Sequence, residues 1–233
     1  MKTNEELIEI FGKDRAHFAC TEYALLDGAQ KIYAEEDGIL LFSNGIHILY
    51  GTTSESVDKI LSLVDSANCF VCSSAEEGDA VCKKFKKFTK CTPCYQIRYE
   101  KEFGVPVPKN TTLTVLEPTD ENIDFVLETY TLGYSREGVE RIMKKYPFYA
   151  TVTDGEISGY IGRHDEGSIG LLEIMPKFRR RGLGAFLVDS AVKGVLKEGK
   201  IAWCNIIVTN ESSYKMHLKM NFVPSKKLVY WCS

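Results

Sequence analysis

With 233 residues, 44% of them hydrophobic and 26% charged, the chain is ordinary globular material, long for one compact domain and comfortable for two. A net charge of −3 argues against a general nucleic-acid binder, and no apolar run approaches the length needed to span a bilayer. The start, Met1-Lys-Thr-Asn-Glu-Glu-Leu-Ile, lacks the apolar core of a secretion signal, so a cytoplasmic protein with neither membrane nor nucleic acid as partner is expected.

In chain order, residues 1–35 read as helical and mixed in character, with Leu7, Ile8 and Phe11 apolar among acids. Gly38 to Tyr50 reads as a hairpin, two β-rich apolar runs around the turn Ser43-Asn44-Gly45. Thr52 with Glu55 fits a capping box, opening a helix from Ser54 to Val64 whose apolar stripe is Val57, Ile60, Leu61 and Val64. A strand at Cys69–Cys72, a helix near Glu76–Phe88 with a basic tail (Lys83 to Lys90) and a strand at Tyr95–Tyr99 complete this half. The basic tail could touch phosphates, but a solvated face near a helix C-terminus explains it as well.

Eight cysteines are the compositional oddity. Cys69-Phe-Val-Cys72 and Cys91-Thr-Pro-Cys94 are separated by 18 residues, inside the spacing window of zinc ribbons. Zinc knuckles are tight turns, however, whereas Asn68–Ser73 reads as a buried strand, on which residues three apart point to opposite faces. Buried reduced thiols are therefore expected, with no metal and, in a cytosolic setting, no disulfide. A zinc-stapled nucleic-acid adaptor is the rival that metal analysis would remove.

Gly104-Val-Pro-Val-Pro-Lys-Asn110 reads as a stiff linker, dividing the chain into domains 1–104 and 111–233. Beyond it come a strand at Thr112–Leu116, a helix opened by Thr119, and a second helix at Arg136–Lys145 capped by Ser135. Phe148–Thr153 and Glu156–His164 form a hairpin around Asp154-Gly155. The strand Ser168–Met175 leads to Pro176, where pairing should stop. Next come Arg179, Arg180 and Arg181, and a helix from Gly182 to about Glu198 with Gly199 as its stop. Ile201–Val208, a short helix capped by Asn210, and strands at Phe222–Pro224 and Leu228–Cys232 close the chain.

Gly182 and Gly184 carry no side chain at a helix start, so a bulky anion can approach bare N–H groups there. Arg179-x-x-Gly182-x-Gly184 resembles the R/Q-x-x-G-x-G/A signature of the GNAT superfamily, the acetyl-CoA-dependent N-acetyltransferases. Asn210-Glu-Ser-Ser-Tyr-Lys-Met-His-Leu-Lys-Met-Asn-Phe222 resembles a second family segment, with His217 where tyrosine is commonest and Asn221 where glycine is usual. The resemblance covers residues 112–233. The order of elements in the first half is similar to the degenerate half of two-domain members. The fold implied is α/β (α+β), a mixed, mostly antiparallel sheet flanked by helices and preceded by a smaller α/β domain.

The resemblance also implies a site. The pyrophosphate of acetyl-CoA would sit on Arg179, Arg180, Arg181, Gly182, Leu183, Gly184 and Ala185. The backbone N–H of Ile174 or Met175 would meet the oxyanion, and the pantetheine arm would lie between the central strand and Ile201–Val208. Asn210, with Ser213 beside it, would hold pantetheine amides, a role compatible with capping its helix. Glu173, a lone carboxylate in an apolar strand, is the candidate base, its pKa raised by desolvation; pairing with a nearby arginine is the plainer alternative. His217 is the candidate acid for the departing thiolate, against a surface histidine with no role. Tyr134, His164 and Glu166 could overhang the acceptor pocket or be plain surface.

Acetyl transfer to the primary amine of a small molecule or peptide, by direct attack in a ternary complex, is the expected activity. A non-catalytic acyl-CoA binder or sensor is the alternative. The acceptor, the acyl length and the oligomeric state are not legible.

Overall fold

The structure, a computed structural model, describes residues 1–130 and 133–233, with the side chain of Lys13 left out. Its contacts separate residues 1–100 together with 203–233 from residues 101–202.

In the first unit, α1 (Asn4–Ile10) and α2 (Ala19–Leu26) precede the strands β1 (Gln30–Glu35), β2 (Gly38–Ser43) and β3 (Ile46–Gly51). Then come α3 (Ser54–Leu61), β4 (Phe70–Cys72), α4 (Ala75–Lys84) and β5 (Thr92–Tyr99). The helical expectation for residues 1–35 is corrected at its end: Gln30–Glu35 pairs antiparallel with β2, because Glu36-Asp37 turns the chain back and Ala34 fills a core position. The hairpin of β2 and β3 stands as expected, with Asn44 at φ 50° and Gly45 at φ 80°, the positive pair that a two-residue turn requires. The capping box of α3 is Thr53 with Ser56, one residue beyond Thr52 and Glu55, each side chain bonded to the other's backbone N–H.

The second unit holds β6 (Thr111–Leu116), α5 (Asp120–Thr129), α6 (Arg136–Lys145), β7 (Phe148–Thr153), β8 (Glu156–Arg163), β9 (Ile169–Ile174) and α7 (Leu183–Lys197). Its strands run β6-β7-β8-β9, antiparallel throughout. Helix α7 packs on β7, β8 and β9 through Phe186, Leu187, Val188 and Val192. It stops as a Schellman motif: Lys200 N–H reaches the Val195 carbonyl, Gly199 N–H the Leu196 carbonyl, and Gly199 takes φ 72°.

The chain then returns to the first unit with β10 (Trp203–Ile207), α8 (Glu211–Lys219), β11 (Phe222–Pro224) and β12 (Val229–Cys232). Strand β5 is the reason. It carries β10 on one edge, and β11 and β12 in succession on the other. Strand β12 inserts between β5 and β4, and β4 runs parallel to β3. Residues 203–233 thus add strands to the first sheet, whereas the linker reading assigned them all to a domain spanning 111–233. Among the described residues this mixed sheet has eight strands. The expected class stands: α/β, mostly antiparallel sheets flanked by helices.

One expectation about cysteine fails. Cys91 and Cys232 are joined as a disulfide, because Trp231 pairs with Thr92 and the next residues outward on each strand meet at a Cα separation of 4.2 Å.

Candidate functional site

The second unit leaves the start of α7 uncapped after an irregular strand. Strand β9 does not pair evenly with β8: Tyr160 faces Glu173, yet Gly162 faces Gly170, so β9 holds one extra residue. The bulge lies at Leu171–Leu172, where Leu171 takes φ 50°, an expensive conformation for a bulky side chain. After Pro176 a single 3₁₀ turn leads to Arg179, and the backbone reverses hand at Arg180 (φ 65°) and Gly182 (φ 83°). Gly182 is the N-cap of α7, without a side-chain cap, and nothing lies within 4 Å of where its Cβ would stand. Phe186 N–H closes the first helical bond onto the Gly182 carbonyl at 3.1 Å. The N–H groups of Leu183, Gly184 and Ala185 therefore have no acceptor within the helix. They point with the positive end of the helix dipole into open space.

Two of the three arginines are already committed. Arg179 Nη2 donates to Glu173 Oε1 at 3.1 Å, and its Nε to the Ile174 carbonyl at 3.0 Å. Arg181 stands 3.8 Å from Asp154 and over the Phe178 ring. Arg180 is exposed and has no ion-pair partner among the described residues. For Glu173 the plainer alternative, pairing with an arginine, is what the structure contains, and the carboxylate side chain is 23% exposed.

The two proposed oxyanion donors separate. Met175 N–H donates to the Ser158 carbonyl at 3.0 Å, so it is spent within the sheet, and Pro176 ends the pairing only after it. That bond makes Ile174 and Gly159 a non-hydrogen-bonded pair, which turns the Ile174 N–H away from β8, toward the outer edge of β9. Of the pair, Ile174 alone keeps the expected geometry.

Beside Glu173 lie two tyrosines that the sequence did not single out. Tyr160 is fully buried opposite it in the ladder, its hydroxyl 2.8 Å from Thr129 Oγ1. Burial, with the Glu173 charge adding to it, pushes the Tyr130 and Tyr160 hydroxyls up to about 12, so both remain protonated donors at neutral pH. The one available signal was Tyr160 in the run Gly159-Tyr-Ile-Gly162 at the middle of its strand. Tyr134 and His164 meet each other at 2.5 Å, hydroxyl to Nδ1, with the rings stacked, and burial pushes the Tyr134 hydroxyl well up. Glu166 is buried and accepts from the Ser168 hydroxyl.

Asn210, Ser213 and His217 belong to the first unit. Asn210 caps α8, accepting from Ser213 N–H at 3.2 Å. His217 is no surface residue: it is 4% exposed, lies edge-on to Phe222, and its Nδ1 sits 2.8 Å from the Ser213 carbonyl. Burial holds its pKa below the ordinary value. A neutral ring donating from Nδ1 keeps only an acceptor at Nε2, the wrong state for delivering a proton. Asn221, the other departure, takes φ 61° just past α8, and its N–H bonds the Leu218 carbonyl. Asparagine tolerates this left-handed position, where glycine is the default.

Residues 148–231 match the family model described as FR47-like protein. Among solved structures the chain is similar to a GCN5-related N-acetyltransferase-like protein from Streptococcus suis 89/1591, at 12% identity over 99% of this chain and 98% of that one, TM-score 0.57. It is similar also to a GCN5-related N-acetyltransferase from Kribbella flavida, at 12% identity over 93% of each chain, TM-score 0.57. A third is a GNAT-family acetyltransferase from Colwellia psychrerythraea, at 12% identity over 100% of this chain and 97% of that one, TM-score 0.54. No curated protein sequence matches. At 12% identity the likeness establishes the fold, over nearly the length of the chain.

Proposed function

We propose that this chain is an acyltransferase that moves an acetyl group from acetyl-CoA to a primary amine. The observation that carries the reading is the start of α7: a glycine cap at φ 83° with open space above it, three N–H groups without helical acceptors, and Arg180 alongside. The diphosphate of the cofactor is the group this seat fits. A carbonyl on the outer edge of β9 would meet the Ile174 N–H, a preorganised donor for a developing oxyanion. Glu173 is the base of this proposal, acting directly or through one water, once the incoming amine competes with Arg179 for its oxygens. The protonated hydroxyl of Tyr130 is the nearby donor that would orient that water, the Tyr160 hydroxyl being spent on Thr129.

Direct attack is favoured over an acyl-enzyme. Cys204 is 2% exposed and burial pushes its thiol far up, the opposite of an activated nucleophile.

One observation favours the alternative of an acyl-CoA binder without turnover. Glu173 is held by Arg179, and His217 is buried against its own helix, so both proposed catalytic groups are engaged elsewhere. Thiol release from acetyl-CoA, followed with a panel of polyamines, amino acids and peptide N-termini, separates the two. Binding with no amine-dependent CoA release on any of them selects the binder.

A further inference from the structure

Four cysteine sulfurs converge in the first unit from four separate elements. Cys72 ends β4, Cys82 lies in the last turns of α4, Cys91 immediately precedes β5, and Cys232 ends β12. Strand pairing gathers them: β12 lies between β4 and β5, with Cys232 opposite Phe70 and Trp231 opposite Thr92. Cys82 Sγ is 3.7 Å from Cys91 Sγ, and Cys72 Sγ is 4.0 Å from Cys232 Sγ. The sulfurs of Cys82, Cys91 and Cys232 all lie within 4.8 Å of one another.

A disulfide between Cys91 and Cys232 accounts for two of these positions and leaves the other two thiols pressed against it. A tetrahedral thiolate site uses Cys82, Cys91 and Cys232 as they stand and takes Cys72, which touches Cys232 but lies outside that group of three, as its fourth ligand once it moves in, since zinc–sulfur bonds of about 2.3 Å set neighbouring sulfurs about 3.8 Å apart. We propose that the reduced cluster of Cys72, Cys82, Cys91 and Cys232 binds one zinc ion as a structural clamp, tying the last strand of the chain to β4, α4 and β5. The disulfide and the metal are alternative occupants of the same sulfurs, and the metal needs both Cys91 and Cys232 as thiolates.

This set differs from the one the two Cys-x-x-Cys spacings indicate. Each motif gives one member, and the others point elsewhere: Cys69 toward the Phe70 carbonyl and Cys94 toward the Thr92 carbonyl. Cys82 and Cys232 stand outside both motifs and reach the cluster only through the fold.

The test uses the full chain, purified with a phosphine reductant, supplied with zinc and desalted without chelator. Elemental analysis is expected to give about one zinc per chain. Four of the eight thiols should resist a thiol reagent until a chelator is added. Cobalt(II) in place of zinc should give a thiolate-to-metal charge-transfer band. Cys82→Ser, on a partly exposed helix face, should weaken zinc affinity by more than about tenfold, whereas Cys69→Ser leaves it unchanged. The proposal is overturned if the reduced chain retains less than about a tenth of an equivalent of zinc. Equal zinc binding by wild type and Cys82→Ser overturns it as well.

Discussion

Arg179 grips the end of β9 at two points, Nη2 on the Glu173 carboxylate at 3.1 Å and Nε on the Ile174 carbonyl at 3.0 Å. The candidate base and the backbone of the candidate oxyanion donor are thus ordered by one side chain. That arginine is 58% exposed, so the ion pair contributes less than about 1 kcal/mol to stability. Glu173→Gln keeps the shape and removes the base, and should lower kcat by about 10²–10⁴-fold with the KM for acetyl-CoA little changed. Arg179→Ala should leave kcat within about tenfold of wild type and raise the KM for acetyl-CoA, since it releases the carboxylate but removes a cation beside the anion seat. Steady-state kinetics on the best amine of the panel measure both. An unchanged kcat in Glu173→Gln removes the carboxylate from the chemistry.

His217 makes a stability prediction with a definite direction. Burial holds its folded pKa below the ordinary 6.5, so as pH falls below that value the unfolded chain takes up the proton first. Stability contributed by the neutral ring is complete above pH 6.5 and is lost as pH falls through the folded value. Urea unfolding at pH 7.5, 6.5 and 5.5 should show the decline in wild type and a flatter profile in His217→Gln, and His217 ring resonances should titrate below the ordinary midpoint.

Glu77 predicts the opposite slope. It is 2% exposed, accepts from Gly51 N–H, Ser73 N–H and the Ser73 hydroxyl, and burial raises its pKa from 4.5 to about 7. The folded chain holds this proton up to about pH 7 while the unfolded chain releases it near 4.5, so stability falls across that window as pH rises. The fall is at most roughly 3.4 kcal/mol, from 1.36 kcal/mol per pKa unit. Glu77→Gln loses an acceptor at every pH, yet its stability relative to wild type should improve between pH 5 and 8. A constant difference between the two across that range contradicts the assignment.

Much of this was legible in the sequence because the signals were local. Asn44-Gly45 and Asp154-Gly155 both adopt the positive φ pair of a tight turn, and Gly199 the left-handed helix stop. Arg179, Gly182 and Gly184 marked the start of α7 because helix ends and glycines carry their signal in the backbone. What the sequence concealed depends on pairing across long separations. The return of residues 203–233 to the first sheet rests on the two edges of β5, and no spacing in the chain announces it. The same pairing brings Cys232 to Cys91, 141 residues apart, and defeats the reading of the two Cys-x-x-Cys motifs as units. His217, read as the thiolate's acid or else as a surface histidine with no role, is shown by Phe222 and the Ser213 carbonyl to be a buried ring. The bulge at Leu171 has no glycine to mark it, and so the committed Met175 N–H could not be told from the outward-facing Ile174 N–H.

The most direct measurement is calorimetric titration of acetyl-CoA into wild type and Gly182→Glu. The Cβ of a residue there meets no neighbour within 4 Å, and its left-handed backbone costs about 1–2 kcal/mol, so circular dichroism should report a folded chain. A carboxylate on the bare N–H groups at the start of α7 should reduce affinity by more than about 100-fold, the loss expected from filling and charging an anion seat. Affinity equal to wild type in the folded variant would mean that the cofactor's diphosphate does not dock there.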